Sequence, residues 1–312
     1  GDVAQVMWPP SPYATISSND SLTHAFRRLG IFTIPRGTIP TPEEQIRSIQ
    51  EYGVTLITGS PSYIHMLTVE GCKYAELSKL GVRWIFLSGE PWPESLRNRL
   101  KEAWNCQFVH DAYFMTEVGG IASECNLFNG LHLNEVGLYT EIVDPKTGEA
   151  VEGEEEGELV FTPFDREGTP LLRYRSGDVS RSILGPCECG WPTHRIARIK
   201  GRTDDVVKLG TSWNVYPSMI DSLIFEIPNI IDYQLVVTRM GYKDNLTFRV
   251  EVEGQKEDLP SLVKAAMLKS TRMRNDMEVS KIISEPVVEV LPKGSLAGDG
   301  RKAKRIIDLR EK

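Results

Sequence analysis

The residues of this 312-residue chain best suited to chemistry lie in short motifs that combine glycine with charged side chains. One is YRSGD, which ends at Asp178, and another is GRTDD, which contains Arg202 and Asp204. A carboxylate on a turn accepts hydrogen bonds from both hydroxyls of a ribose, so Asp178 is a candidate ribonucleotide-binding residue. The structural alternative is an Asx turn or a helix cap, which is common for aspartate beside glycine.

A second group of residues offers an aromatic ring, a hydroxyl, a carboxylate and an amine. The segment DAYFMTE contains Tyr113, Thr116 and Glu117, and Lys302 lies in the basic segment GDGRKAKR. Magnesium is commonly held by one or two carboxylates plus substrate phosphates, so one glutamate is enough to bind it. The structural alternatives are a core aromatic residue for Tyr113 and a solvated basic tail for Lys302.

Cysteine and histidine spacing suggests a metal site. Cys187 and Cys189 are one residue apart and are followed by a glycine, while Cys125 and His132 supply a second pair. Four such ligands make a closed tetrahedral zinc site, which is structural because no position stays open for water. The spacing of the cysteines is tighter than usual, so two interpretations stay open: bound zinc and free cysteines.

The elements that must position these residues follow a strand–turn–helix pattern in the first part of the chain. Apolar runs at 54–59, 82–87 and 107–110 predict short buried strands. The second runs into the turn Ser88–Pro91, and a helix is expected from Pro93 to near Trp104. This alternation predicts an open, mostly parallel sheet, whose ligands bind beyond the carboxyl ends of the strands.

From about residue 136 the sequence no longer follows the strand–turn–helix pattern. Runs at 138–143 and 157–162 predict antiparallel strands within a small β-barrel-like region at 136–185. We therefore expect an α/β fold in which residues 1–203 form a large domain and residues 204–312 form a small, mobile α+β domain. The small domain should contain helices near 216–226 and 259–270 and strands near 233–238, 246–252 and 287–291.

Composition excludes several functions. The net charge is −7, with 40% hydrophobic and 25% charged residues, so the basic surface that nucleic acids require is missing. No apolar run reaches the length of a membrane span, and the first residues, which lack a basic stretch and a long apolar core, are not expected to act as a signal peptide. An odd count of five cysteines in a chain of this length favours a reducing, cytoplasmic environment. A homodimer is plausible on general grounds alone.

Taken together and in this order, the motifs resemble the nucleotide-handling signature of adenylate-forming enzymes, specifically the phenylacetate–coenzyme A ligase type. The resemblance covers nearly all 312 residues. It implies that ATP activates a carboxylic acid as an acyl-adenylate, with release of pyrophosphate, and that a thiol then accepts the acyl group. The implied cofactors are ATP or AMP, Mg²⁺ and coenzyme A, and the implied partner is a small carboxylic acid.

The resemblance assigns roles to individual residues. On the nucleotide side, Tyr113 packs against adenine, Asp178 binds the ribose, Arg202 contacts the nucleotide, and the turn Ser88, Gly89, Glu90 and Pro91 lines the adenine pocket. On the reaction side, Thr116 lies near the α-phosphate, Glu117 binds magnesium, Asp204 is the pivot of the small domain, and Lys302 is the catalytic lysine. Some ligases of this type also carry Cys/His pairs like those at Cys125, His132, Cys187 and Cys189.

The sequence departs from the family pattern in four places. Phe114 replaces a glycine that leaves space for the acid, and Arg301 replaces the glycine before the lysine. The turn 208–213, whose counterpart helps to hold coenzyme A, is about one residue longer. A Ser/Thr/Gly-rich phosphate loop is expected upstream of the region that matches Gly1. A longer protein and a naturally short, divergent one both fit this pattern.

Two functional hypotheses follow. The first is an acid–thiol ligase for an aromatic carboxylic acid, acting in aromatic-acid degradation or in biosynthesis of an antibiotic or phenazine-type product. The second is a divergent, non-catalytic relative that binds an acid or AMP without turning over ATP. The identity of the acid and of the acceptor stays open.

Overall fold

The computed structural model describes residues 1–8, 20–210, 213–252, 254, 258–296 and 304–310. The chain divides into two compact units, one made of residues 1–91 and 96–199 and the other of residues 92–95 and 200–312. The predicted domain boundary after residue 203 stays a prediction. Each unit is built around its own sheet.

The first unit begins with five parallel strands in the order β2-β1-β3-β4-β5. Their buried, apolar residues explain this arrangement, because the strands of a parallel sheet are covered on both faces. All four residues of β3 are buried, for example. The strands are β1 (Val3–Met7), β2 (Phe32–Pro35), β3 (Leu56–Gly59), β4 (Trp84–Ser88) and β5 (Phe108–Met115).

Four helices accompany these strands: α1 (Asp20–Arg28), α2 (Pro42–Glu51), α3 (Pro61–Gly71) and α4 (Glu94–Trp104). Local sequence fixes where they begin. Thr41 forms a capping box with Glu44 at the start of α2, and the Ser60 hydroxyl accepts the backbone N–H of Tyr63 in α3. Both helices have proline in the first turn, where its missing N–H costs nothing.

Antiparallel strands continue the same sheet from β5 in the order β6-β7-β11-β10-β9-β8. A tight turn joins β5 to β6, and the short pairing of β7 with β11 brings together segments that are far apart in the sequence. The predicted strand 138–143 is confirmed as β8. The strands are β6 (Gly119–Glu124), β7 (Leu131–Leu133), β8 (Leu138–Val143), β9 (Glu156–Pro163), β10 (Tyr174–Ile183) and β11 (Arg195–Ile196).

The second unit has a four-stranded sheet in the order β17-β16-β15-β18, preceded by a β13–β14 hairpin. The predicted strand 287–291 is confirmed, and the long β15–β16 pair extends beyond its predicted bounds. The strands are β12 (Gly201–Arg202), β13 (Val207–Leu209), β14 (Trp213–Val215), β15 (Ile230–Met240), β16 (Lys243–Val252), β17 (Val287–Leu291) and β18 (Ile306–Asp308). The helices are α5 (Pro217–Ile224), α6 (Leu259–Leu268) and α7 (Thr271–Arg274), followed by a π-helical turn (Asn275–Val279).

This architecture confirms the predicted α/β class, with a separate small α+β unit. The large sheet is mixed: its first five strands are parallel, and the strands that continue it are antiparallel. Within the described part of the chain, no helix has both the length and the apolarity that a membrane crossing requires.

Candidate functional site

Tyr113 and Asp178, 65 residues apart in sequence, meet in the first unit. The Tyr113 hydroxyl donates a hydrogen bond to the Asp178 carboxylate. The Tyr113 ring also lies against Phe161 of β9, with ring centroids 6.0 Å apart. The two residues that the motifs assign to adenine and ribose are therefore neighbours, as binding of a single nucleoside requires. Their roles themselves stay predictions.

Asp178 lies in a β-bulge of β10. The register between β9 and β10 shifts between Arg175 and Val179, and Gly177 has a positive φ of 78°. Such a conformation suits glycine, and a bulge re-aims the side chains beside it. The buried Glu158 carboxylate stabilises the bulge, because it accepts the Gly177 N–H at 3.0 Å and pairs with the Arg175 guanidinium.

The turn Ser88–Pro91 follows β4 at the carboxyl edge of the parallel sheet. Gly89 has a φ of 86°, and a Cβ added to it would lie 3.5 Å from the Trp8 ring. The Glu90 carboxylate accepts hydrogen bonds from both the backbone N–H and the hydroxyl of Ser62 at the start of α3. Glu90 therefore fixes the turn to a helix N-terminus, where the positive end of the helix dipole favours a carboxylate.

Thr116 and Glu117 lie in the exposed turn between β5 and β6. Beneath them, β5 is held by an ion pair that is almost completely buried: the Arg97 guanidinium donates to both oxygens of the Glu124 carboxylate at 3.0 and 2.8 Å. Glu124 also accepts the Asp111 backbone N–H at 2.8 Å. Burial raises the pKa of Glu124 even though Arg97 donates to it.

The remaining predicted residues belong to the second unit. The Arg202 guanidinium donates to the Asp204 carboxylate at 3.0 Å, and both side chains are largely exposed. The arginine and the proposed pivot are thus already paired within one turn. Lys302 and Arg301 lie outside the described residues, as do Thr211 and Ser212 of the turn 208–213.

Cys125, His132, Cys187 and Cys189 come together in the first unit, where their ligand atoms all lie within 4.8 Å of one another. We call this set the Cys/His cluster. The pairing of β7 with both β6 and β11 brings the two halves of the cluster together. The Sγ atoms of Cys125 and Cys187 are 3.8 Å apart, and Cys189 Sγ is 3.4 Å from His132 Nε2.

These distances fit a tetrahedral metal site. With zinc–sulfur bonds of about 2.3 Å, neighbouring thiolates are separated by roughly 3.8 Å. A disulfide, by contrast, requires sulfur atoms roughly 2.05 Å apart. Burial and the nearby Arg195 lower the pKa of His132, which favours the neutral imidazole that ligates metals. Its other nitrogen, Nδ1, lies 3.3 Å from the Thr193 hydroxyl, the kind of contact that orients a ligating histidine.

Sequence reasoning missed the residues that support the site. Arg97, Glu124 and Glu158 lie in ordinary helical or strand patterns, and nothing in their spacing marks them as partners. Glu158 follows an acidic stretch, residues 152–157, that predicts a solvated loop; those glutamates are indeed exposed, whereas Glu158 itself is buried. A carboxylate inside a strand pattern was the only available signal.

Comparison with known proteins gives two family matches. Residues 2–162 match the model of the AMP-binding enzyme family, and residues 212–310 match the AMP-binding enzyme C-terminal domain. The first match alone covers more than half of the chain and includes β1 through most of β9.

Individual relatives agree with these matches. The chain is 32% identical over 298 residues to a phenylacetate–coenzyme A ligase of Thermus thermophilus, covering 91% of this chain and 66% of the relative. It is 31% identical over 263 residues to a ligase of the same name from Aromatoleum evansii, covering 81% of this chain and 56% of the relative. Among solved structures, a 2-hydroxyisobutyryl-CoA ligase in complex with 2-HIB-AMP aligns with a TM-score of 0.79 at 25% identity, covering 99% of this chain and 65% of that chain. The chain thus spans two thirds or less of the length of these proteins.

Proposed function

The chain belongs to the AMP-binding enzyme family, and from this premise we propose that it activates a carboxylic acid with ATP and transfers the acyl group to coenzyme A. The observation that carries the proposal is the contact between Tyr113 and Asp178, an aromatic ring beside the carboxylate to which we assign ribose binding. Support also comes from relatives named phenylacetate–coenzyme A ligase. We propose an aromatic acid as the substrate class.

In the first step, an oxygen of the acid's carboxylate attacks the α-phosphorus of ATP, and the bond to pyrophosphate breaks. Tyr113 packs against adenine, and Asp178 accepts the ribose hydroxyls. Thr116 and Lys302 stabilise the negative charge that builds on the α-phosphate oxygens, since such transfers depend mainly on positioning and electrostatics. The exposed Glu117 carboxylate would hold the magnesium ion of the ATP substrate, which would neutralise phosphate charge.

In the second step, the thiol of coenzyme A attacks the carbonyl carbon of the acyl-adenylate, and AMP leaves with the electron pair of the acyl–phosphate bond. The thiol proton passes to solvent. We propose that Asp204 is the pivot about which the second unit turns between the two steps. A pivot requires only a few residues that absorb a change of backbone angles.

Acid-dependent exchange of pyrophosphate into ATP tests the first step. The full natural protein should catalyse exchange with benzoate, phenylacetate or a substituted aryl acid, and adding coenzyme A should yield the thioester and AMP. AMP binding without exchange for any aryl acid would instead support the non-catalytic hypothesis.

Replacing Asp178 with asparagine should weaken AMP binding by at least about tenfold, because hydrogen bonds to a charged acceptor contribute roughly 1.5–3 kcal/mol each. Isothermal titration calorimetry with AMP measures the effect. Asp165→Asn is the matched control, since this carboxylate is 77% exposed and its ion pair with Arg166 is long, at 3.9 Å. Equal affinities for the Asp178→Asn variant and the control would remove Asp178 from the nucleotide site.

We propose that the Cys/His cluster holds a structural zinc ion. Its three thiols and one imidazole would fill all four coordination positions of a tetrahedral zinc ion, so no position would stay open for water or substrate. The metal would therefore cross-link β6, β7 and the loop before β11 and would take no part in the reaction.

Protein purified without chelator should contain about one zinc per chain, measured by mass spectrometry of the metal. Cys187→Ser should lose most of it, whereas the exposed Cys72→Ser should retain it. Metal-free wild-type protein would contradict the proposal.

A further inference from the structure

The bulge that carries Asp178 is larger than a usual β-bulge. Three residues of β10 (176–178) lie opposite the single residue Leu159 of β9, and regular pairing resumes where Val179 lies opposite Glu158. A usual bulge sets two residues against one. Backbone groups in such a segment lose their partners in the strand ladder, and a buried N–H or C=O without a partner is costly. Other groups must therefore bind the backbone of the bulge.

Two buried side chains supply these partners. The Ser176 hydroxyl donates to the Leu159 carbonyl at 2.7 Å and accepts the Asp178 backbone N–H at 3.0 Å. The Glu158 carboxylate accepts the Gly177 N–H at 3.0 Å. Ser176 and Glu158 are only 3% and 4% exposed, so water competes little for these bonds. The two side chains therefore set the path of the backbone that carries Asp178.

The charge of Glu158 is matched by an arginine from the facing strand. One carboxylate oxygen accepts two hydrogen bonds from the Arg175 guanidinium, from Nε at 2.9 Å and from Nη2. The Arg175 side chain is 49% exposed and that of Glu158 is 5% exposed, so the arginine brings to the buried carboxylate the countercharge that it requires. A carboxylate binds a backbone N–H roughly twice as strongly as a neutral acceptor does. Glu158 therefore holds Gly177 more firmly than a glutamine would.

Glycine at the centre of the bulge makes this outside support necessary. Gly177 has a φ of 78°, which glycine adopts without steric cost. Glycine adopts other backbone conformations just as readily, so its presence permits the bulge without enforcing it. The bond from Gly177 to Glu158 on the neighbouring strand is what selects this one conformation.

The position of Asp178 matters because its partner Tyr113 is held by other strands. Tyr113 belongs to β5, its hydroxyl donates to the Asp178 carboxylate, and its ring lies 6.0 Å from that of Phe161 in β9. A shift of the bulge would move the carboxylate relative to this ring and would not carry the ring with it. A binding group that is misplaced by a fraction of its contact distance loses much of its effect.

We propose that Glu158 and Ser176 are positioning residues for nucleotide selection: they act through the bulge to set the Asp178 carboxylate where it accepts both ribose hydroxyls. The inference rests on the proposed function, in which Asp178 binds the ribose. Preference for a ribonucleotide then depends on two side chains buried between β9 and β10 as well as on Asp178 itself.

The first test compares AMP with dideoxy-AMP, the analogue without the two ribose hydroxyls, by isothermal titration calorimetry on the full natural protein. Glu158→Gln should lower the affinity for AMP about three- to tenfold and leave that for dideoxy-AMP within about twofold, the size of effect expected within one hydrogen-bond network. Glu141→Gln is the matched control, a β8 carboxylate that is 20% exposed and pairs with Arg173 at 3.1 Å. A Glu158→Gln variant that keeps the full preference for AMP overturns the proposal.

The second test is a double-mutant cycle with Asp178→Asn. If Glu158 acts through Asp178, then Glu158→Gln should cause no further loss of AMP affinity when Asp178→Asn is already present. A general disturbance of the fold would instead lower the affinity in both backgrounds and for both nucleotides. Losses that add in the double variant therefore contradict the positioning role.

Ser176→Ala provides an independent route to the same result. It removes the hydroxyl that binds Leu159 and Asp178 and adds no volume, so it tests the bulge even if Glu158→Gln does not fold. The variant should lose AMP affinity and keep its affinity for dideoxy-AMP, as Glu158→Gln does. Wild-type affinity for both nucleotides would show that the bulge does not need this hydroxyl and would overturn its part of the proposal.

Failure of the proposed function gives a different result. If the wild-type protein binds AMP and dideoxy-AMP equally, Asp178 does not bind the ribose and the proposed nucleotide site is wrong. Hydrogen–deuterium exchange at the Gly177 and Asp178 amides then tests the positioning without a nucleotide. Faster exchange in Glu158→Gln than in Glu141→Gln supports the hold on the bulge, and equal exchange overturns it.

Discussion

Replacing Arg97 with alanine is expected to lower the free energy of unfolding by about 3–5 kcal/mol, because it leaves the Glu124 carboxylate buried without its partner. The two side chains are 3% and 0% exposed, so water cannot replace the lost guanidinium. Arg97 also donates to the Val109 carbonyl, and that bond would be lost as well. Urea denaturation followed by circular dichroism measures the change.

A matched control is Arg47→Ala, which removes an ion pair with Glu43 whose side chains are 67% and 51% exposed. Exposed pairs of this kind contribute only about 0.3–0.5 kcal/mol, so this variant should be nearly neutral. The double variant Arg97→Met with Glu124→Leu should recover part of the loss, since apolar replacements of buried pairs are often tolerated. Equal destabilisation by Arg97→Ala and Arg47→Ala would show that burial of the pair contributes nothing.

Replacing Lys302 with alanine is expected to reduce the rate of pyrophosphate exchange by about 10²–10³-fold, the usual effect of removing one group that stabilises transition-state charge. The effect should appear in kcat and kcat/KM together, because the lysine acts on charge that develops during the transfer. Affinity for AMP should change little. Steady-state exchange kinetics with a single aryl acid measures these quantities.

Lys304→Ala is the control for this prediction, since it removes a neighbouring positive charge from the same basic segment and leaves Lys302 in place. Its exchange rate should stay within about twofold of the wild-type rate, as expected for an exposed charge. If Lys304→Ala loses exchange and Lys302→Ala does not, the alignment of the two lysines is wrong. If neither variant changes the rate, the segment is a solvated basic tail.

The family and fold class were predictable because both depend on local patterns. The order of YRSGD and GRTDD, with DAYFMTE before them, indicated the family, which is confirmed by the matches over residues 2–162 and 212–310. Buried runs separated by turns predicted β3, β4 and the start of β5, since apolar periodicity follows directly from burial. The site roles of Thr116, Glu117, Arg202 and Asp204 stay predictions.

The sequence also identified four candidate metal ligands, but it could not choose between a zinc site and free cysteines. The positions of the Sγ and imidazole nitrogen atoms support the zinc proposal, and they depend on how β7 pairs with β6 and β11. Strand pairing is a long-range property, so the spacing of residues along the chain does not determine it. The same holds for the meeting of Tyr113 with Asp178 across 65 residues.

By itself, the sequence determined which chemical groups this protein has and which elements present them, because glycine turns, caps and apolar periods act over a few residues. Only the tertiary structure decided which groups are neighbours. It placed Arg97 against Glu124, set Glu158 beneath the Gly177 bulge, and put Trp191 beside both the Cys/His cluster and a cavity. Burial gives these contacts their strength, and burial arises only when distant segments pack together.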